Sequence, residues 1–258
     1  MKFLKNFIPN FLKNIYINYK KQKELQPYKG DKVFCPICNS SFNNFAPYGF
    51  PTRKNAKCRN CGSLERHRLL YIYFNDKTNL FADASKISLL HFAPEKEFYD
   101  IFSQEKYKQY IPGDLSPEKY NYNGKVKLRK VDITKIPFED NSFDVVLCNH
   151  VLEHVPNDIQ AMAEMYRVMK KGGWGIISVP IDYRREETYE DFTITTAQER
   201  EKAFGQHDHV RWYGRDYKDR LKNSGFKVTE DDYVKKFSSD ELFRLGLQGT
   251  EIIYYCEK

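Results

Sequence analysis

Apolar residues recur every three or four positions at the front of the chain, at Phe3, Leu4, Phe7, Ile8, Phe11, Leu12, Ile15 and Tyr16. That spacing draws one stripe along a helix and predicts an amphipathic helix over residues 1–22. Pro9 either kinks it or delays its start. Residues 26–62 lose periodicity and gain Pro, Gly and Cys, the pattern of a small metal-stapled module. A helical pattern returns over 63–74, with Ser63 placed to cap it. From Lys86 onward strands and helices alternate. Short apolar runs predict strands at 87–92, 109–115, 126–131, 143–148 and 174–180, and two more at 226–234 and 251–256. Helices are predicted at 95–102 and 215–223. A further helix is predicted at 157–171, with Ile159, Met162, Ala163, Tyr166 and Met169 on one face and its stop at Gly172-Gly173. Residues 181–206 are polar and rich in Glu, Arg and Thr, which suggests an insertion or lid. The alternation predicts an α/β fold, a mostly parallel sheet with helices on both faces. Three parts follow: a helix over 1–25, a zinc-binding module and linking helix over 26–80, and a catalytic domain over 81–258.

Composition sharpens this picture in two ways. Of 258 residues, 41% are hydrophobic and 16% aromatic, enough for a packed core. No run of about 18 apolar residues occurs, so no transmembrane helix is expected. The net charge of +7 is unevenly placed. Residues 1–23 hold six lysines and no acid, residues 24–84 carry +4, and residues 85–258 carry −3. A mildly acidic catalytic part argues against a long nucleic-acid track across it.

The six cysteines divide into two kinds. Cys148 and Cys256 stand alone in apolar runs and read as buried structural thiols. Cys35-Pro36-Ile37-Cys38 and Cys58-Arg59-Asn60-Cys61 are two pairs separated by 19 residues. A two-residue gap lets both thiolates of a pair face one ion, and two pairs complete a tetrahedron, so Cys35, Cys38, Cys58 and Cys61 predict a structural Zn2+ site of zinc-ribbon type. No disulfide framework is suggested, which points to a reducing cytoplasm. Arg53, Lys54, Lys57 and Arg59 lie beside the second pair, either as a phosphate-binding group or as a solvated surface.

In a doubly wound sheet, ligands sit at the carboxyl ends of the strands. The first strand ends in Leu90-His91-Phe92-Ala93-Pro94-Glu95, which makes His91, Phe92 and Ala93 candidates. Asp114, followed by Leu115, ends the second strand, where a carboxylate can accept from both hydroxyls of a ribose. Asp132 ends the third and can accept from an adenine amino group. Asn149 and His150 end the fourth. Each acid alone is more often a strand-end cap than a ligand; their order and spacing together favour a nucleoside.

The run from Val131-Asp132-Ile133 through Phe143-Asp144, Asn149-His150 and Leu152-Glu153-His154 to Gly172-Gly173 and Ser178-Val179-Pro180 closely resembles the class I S-adenosylmethionine-dependent methyltransferases of the type-11 kind. The resemblance extends over about residues 85–258. It implies a Rossmann-like seven-stranded sheet with its last strand antiparallel and S-adenosylmethionine as cofactor. It also implies Asp114 as the ribose acid, Asp132 with Ile133 at the adenine, and Asn149 beneath the cofactor. The two cysteine pairs, together with Ser63-Leu64-Glu65-Arg66-His67-Arg68 and the run 90–95, look like a subgroup with a front zinc module, often met among bacterial polysaccharide-modifying genes. One departure stands out. The glycine-rich turn that the family carries after the first strand is absent, and Ala93 is the only small residue there.

Acceptor chemistry is sought among the histidines. His154 reads as a structural hydrogen-bonder and His67 as lying on the outer face of the linking helix. His150, His207 and His209 are candidate bases, and Arg211 is a candidate anchor for an acceptor carboxylate or phosphate. The alternative for the run 207–214 is a hydrogen-bonded loop packed on the sheet, and alignment alone can drive such a transfer without a base. The expected acceptor is an oxygen of a glycan or small molecule. An RNA acceptor reached through the basic zinc module and a non-catalytic binding protein of the same fold are the alternatives. The basic front helix, residues 1–22, is expected either to lie on an anionic membrane surface, which would make a cytoplasmic protein peripheral at the inner face, or to pack on the fold.

Overall fold

The computed structural model describes residues 10–122, 124 and 126–258. The predicted helix at the front appears as α1 (Asn10–Leu25), so Phe3, Leu4, Phe7, Ile8 and Pro9 lie outside the described residues. The pattern-poor stretch after it holds four short strands: β1 (Lys29–Cys35), β2 (Ser40–Phe42), β3 (Ala46–Tyr48) and β4 (Arg53–Lys57). After α2 (Glu65–Lys77) come β5 (Ser88–Phe92), α3 (Lys96–Phe102), β6 (Gln109–Asp114), β7 (Arg129–Lys130) and β8 (Phe143–Asn149). Then follow α4 (Asp158–Val168), β9 (Met169–Ser178), β10 (Tyr189–Glu190), α5 (Ala197–Phe204) and β11 (Arg211–Trp212). The chain closes with α6 (Tyr217–Asn223), β12 (Lys227–Asp231), α7 (Ser239–Leu245) and β13 (Ile253–Glu257).

Two compact units result. The first runs to Ile72 and reclaims Val234–Gly249; the second comprises Tyr73–Tyr233 and Thr250–Lys258. The first unit thus ends short of residue 80 and takes back α7, a helix absent from the periodicity reading. β1 pairs with β2 and β3 with β4, both antiparallel, around a small core of Leu25, Val33, Cys35, Phe42, Phe45 and Cys58. Arg68 is fully buried in this unit and donates to the carbonyls of Ala56, Ser63, Leu245 and Gly246. Ser63 does not cap the linking helix. Its hydroxyl lies 3.3 Å from Cys35 Sγ and 3.2 Å from Cys61 Sγ, and the Leu64 amide donates to Nδ1 of His67, a residue buried in the fold and not on an outer face.

The second unit is a seven-stranded sheet in the order β12-β13-β9-β8-β5-β6-β7. β5 to β9 run parallel, and β13 is antiparallel to both neighbours, as expected. Asp144, in the Phe-Asp pair of β8, accepts from the Ser88 amide and from Lys170 Nζ, both at 2.8 Å, which ties β8 to the starts of its two neighbours. Helix α4 begins just after Asn157, whose Oδ1 caps it by accepting from the Gln160 amide. Its buried face is Ala161, Met162, Met165 and Val168; Ile159 and Ala163 are exposed, so the face is turned by about one residue from the expected one. The helix also stops at Val168, and Gly172-Gly173 lie inside β9. Phe143 pairs with Met169 but Val145 with Trp174, so β9 carries extra residues there. Gly172 has φ +74°, and a Cβ on Gly173 would stand 2.8 Å from the Lys170 carbonyl oxygen. Glycine is favoured at the first place by its φ and at the second by the lack of room for a side chain.

Candidate functional site

β5, β6, β7 and β8 end together at one side of the sheet. The sequence order reverses between β5 and β8, and the crevice beyond such a switch point is where ligands of open α/β sheets sit. A cleft of about 710 Å³ lies there, within the size range of small-molecule sites. Phe92 and Ala93 from the end of β5, Asp114 and Leu115 from β6, Asp132 and Ile133 from β7, and His150 from β8 all line it. Seven of the sequence candidates are therefore brought into one cavity.

The turn after β5 explains the missing glycines. Ala93 takes φ +42°, the left-handed region, and its amide donates to the Gly113 carbonyl at 2.8 Å. The backbone makes a glycine-like turn with the smallest side chain that has a Cβ, at a cost of roughly 1–2 kcal/mol. His150 is also left-handed, at φ +54°, with its amide on the Ser178 carbonyl. Two strained residues thus flank the cleft, as is common at binding sites.

Both acids are held in fixed orientations. Asp114 accepts from the Ser116 amide (2.7 Å) and from the Tyr120 hydroxyl (2.8 Å), which leaves lone pairs free toward the cleft. Burial, and then the Asp114 carboxylate, push the Tyr120 hydroxyl well above its ordinary pKa, so it stays a donor. Asp132 accepts through Oδ1 from both the hydroxyl and the amide of Thr134, contacts that hold its carboxyl below the usual range. Asn149 is buried, does not line the cleft, and its side-chain amide makes no hydrogen bond. A buried amide left unmatched beside a cleft calls for a ligand or water partner.

Other candidates are placed elsewhere. His91 is fully buried between the Tyr110 hydroxyl (3.2 Å) and Glu95 Oε2 (3.0 Å), so it supports the strand end and does not face the cleft. His207 is exposed and does not line the cavity. His209 is buried, with Nδ1 3.2 Å from the Phe204 carbonyl, and burial pushes its imidazole pKa down. Arg211 is buried, pairs with Glu190 Oε2 at 2.9 Å and donates to the carbonyls of Leu152, Val155 and Pro156. It holds the loop after β8 and is not free to anchor an acceptor. His154 and its neighbour Asp208 do line the cleft, as do Tyr120 and Thr134. Their signal in the sequence was adjacency to motifs already assigned.

In the first unit, the Sγ atoms of Cys35, Cys38, Cys58 and Cys61 all lie within 4.8 Å of one another. Cys35 to Cys61 is 3.7 Å and Cys38 to Cys58 is 3.6 Å. A tetrahedron with metal–sulfur bonds of about 2.3 Å has sulfurs about 3.8 Å apart. The set fits one zinc ion.

Residues 98–177 match a family model described as a methyltransferase domain. That stretch, about a third of the chain, is similar to a methyltransferase domain. The matched stretch runs from within α3 to within β9 and includes Asp114, Asp132, Asn149 and His150. The chain is 43% identical over 74 residues to an uncharacterised protein of Methanocaldococcus jannaschii, covering 27% of this chain and 32% of that one. It is 43% identical over 60 residues to a demethylmenaquinone methyltransferase of Staphylococcus aureus, covering 23% and 25%. The match thus spans between a quarter and a third of these relatives' length. Among solved structures, a methyltransferase from Archaeoglobus fulgidus aligns at 17% identity with a TM-score of 0.47, covering 74% of this chain and 93% of that one. The cleft and the matched stretch coincide at the ends of β6, β7 and β8.

Proposed function

We propose that this chain transfers a methyl group from S-adenosylmethionine to an oxygen of a glycan or small-molecule acceptor. The observation that carries the reading is the pair of oriented carboxylates, Asp114 and Asp132, at the ends of adjacent parallel strands in one cleft. Asp114 would accept from the ribose hydroxyls and Asp132, with Ile133, would hold the adenine edge. Asn149, buried with its side-chain amide unmatched, would lie beneath the cofactor. S-adenosylmethionine supplies an electrophilic methyl on sulfur. The protein's part is to hold an acceptor oxygen in line with it, which is worth several kcal/mol of barrier, on the order of 7–11 at best. His150, half-exposed on the cleft wall with Nδ1 3.4 Å from Glu153 Oε1, is the proposed base.

The first unit is proposed to hold a structural Zn2+, as in the zinc-module subgroup. An RNA acceptor is less supported, because its basic residues are partly engaged. Arg53 pairs with Glu65 at 2.8 Å, and Arg59 donates to Asn44 and stacks over Tyr28. No helix among the described residues is long and apolar enough to cross a membrane. Leu12, Ile15, Tyr16 and Tyr19 of α1 are exposed beside its lysines, which supports peripheral contact with an anionic surface.

Tritium from methyl-labelled S-adenosylmethionine, incubated with the protein and fractionated extract, is expected in a carbohydrate or small-molecule product that separates from the unreacted donor and is absent without the protein. Label in the RNA fraction, or in none, would overturn this reading.

A further inference from the structure

We propose that Glu153, His154 and His209 form a binding site for one divalent first-row transition cation in the wall of the cleft. One ligand atom from each residue lies within 4.8 Å of the others. Glu153 and His154 sit on the single turn that follows β8, and His209 comes from the loop after α5, so the fold brings two separate motifs together.

Two independent features point to a cation. Glu153 is 1% exposed, and its Oε2 makes no hydrogen bond. A buried carboxylate oxygen without a partner is costly, and a cation removes the cost. The second feature is the way both imidazoles are held. His209 Nδ1 lies 3.2 Å from the Phe204 carbonyl, which can only accept, so Nδ1 carries the proton and Nε2 keeps its lone pair. His154 Nδ1 lies 3.3 Å from both the carbonyl and the carboxylate of Asp208, with the same consequence. An outer oxygen that fixes one ring nitrogen and frees the other is the arrangement that orients metal-bound histidines. The two rings meet edge to face at 4.8 Å.

The donor set names the class of ion. Two imidazoles and one carboxylate with open positions suit Mn2+, Fe2+, Co2+ or Zn2+ better than Mg2+ or Ca2+, and differ from the all-thiolate set of the first unit. His154 and Asp208 line the cleft, so the open positions would face it. There the cation would bind the oxygen of an acceptor. That role rests on the methyl-transfer reading; the binding of the ion does not.

Mn2+ separates the two sites, because it prefers nitrogen and oxygen to thiolate. Electron paramagnetic resonance of the full chain, with zinc in place and no methyl donor added, should show one bound Mn2+. Glu153→Gln and His209→Ala should each weaken it by at least about tenfold. His154→Asn, at a half-exposed position, gives the same test should the buried variants fail to fold. Only weak binding in the unaltered protein, or full binding in the variants, would overturn the proposal. S-adenosylmethionine affinity of the zinc-loaded chain, measured by calorimetry, keeps the two claims apart: cofactor binding in a chain that fails to bind Mn2+ sinks the cation site alone.

Discussion

Cys58→Ser should release the metal and unfold the first unit. A structural zinc contributes on the order of 10 kcal/mol to the folding of a small domain. The buried cluster around the metal site holds six of the described residues, of which Cys35 and Cys58 are two. Arg68 raises the dependence. It is buried and its hydrogen bonds go to carbonyls, so a four-thiolate zinc centre, with its net negative charge, is a natural counter-charge beside Glu65. Elemental analysis should find one zinc in the unaltered chain and none in the variant, and limited proteolysis should cut the variant between residues 30 and 62. Strong chelation of the unaltered chain should produce the same cuts. A variant that resists protease without zinc would show that the module folds unaided.

Arg211→Ala should destabilise the second unit by about 3–5 kcal/mol, the range for breaking a buried ion pair. The substitution strips a partner from Glu190 and from the carbonyls of Leu152, Val155 and Pro156. The loss reaches a wider buried network, since Glu190 also meets Arg220, and Arg220 and the Tyr213 hydroxyl both donate to Asp158. Arg211→Lys should recover little, because an ammonium cannot reproduce the planar fork. Urea unfolding measures the effect. Unchanged stability with lost turnover would instead place Arg211 against the acceptor.

What the sequence showed of this molecule follows from the range of each interaction. Strand ends, the two acids and the cysteine pairs are local, and the apolar periods with their spacing revealed them. The antiparallel last strand came through resemblance. Helix α7 carries a local sign, the Ser238 and Glu241 capping box, but its membership of the first unit does not. That membership depends on Arg68 reaching Leu245 and Gly246, more than 170 residues away. Arg211 misled for a related reason. Its partners are backbone carbonyls 55 to 59 residues upstream, and a carbonyl has no side-chain signature. His91 and Asn149 sit at strand ends, where one residue of register decides between cleft and core. Glu153 was passed over because its meaning lies in a missing partner, visible only in three dimensions.

The central claim is that S-adenosylmethionine occupies the cleft with its ribose on Asp114. Calorimetric titration of the unaltered chain and of Asp114→Ala tests it most directly. The account predicts one cofactor per chain, with the variant weaker by roughly 1.5–3 kcal/mol, the contribution of hydrogen bonds to a charged group. No binding by the unaltered chain, or equal affinity in the two proteins, would contradict it.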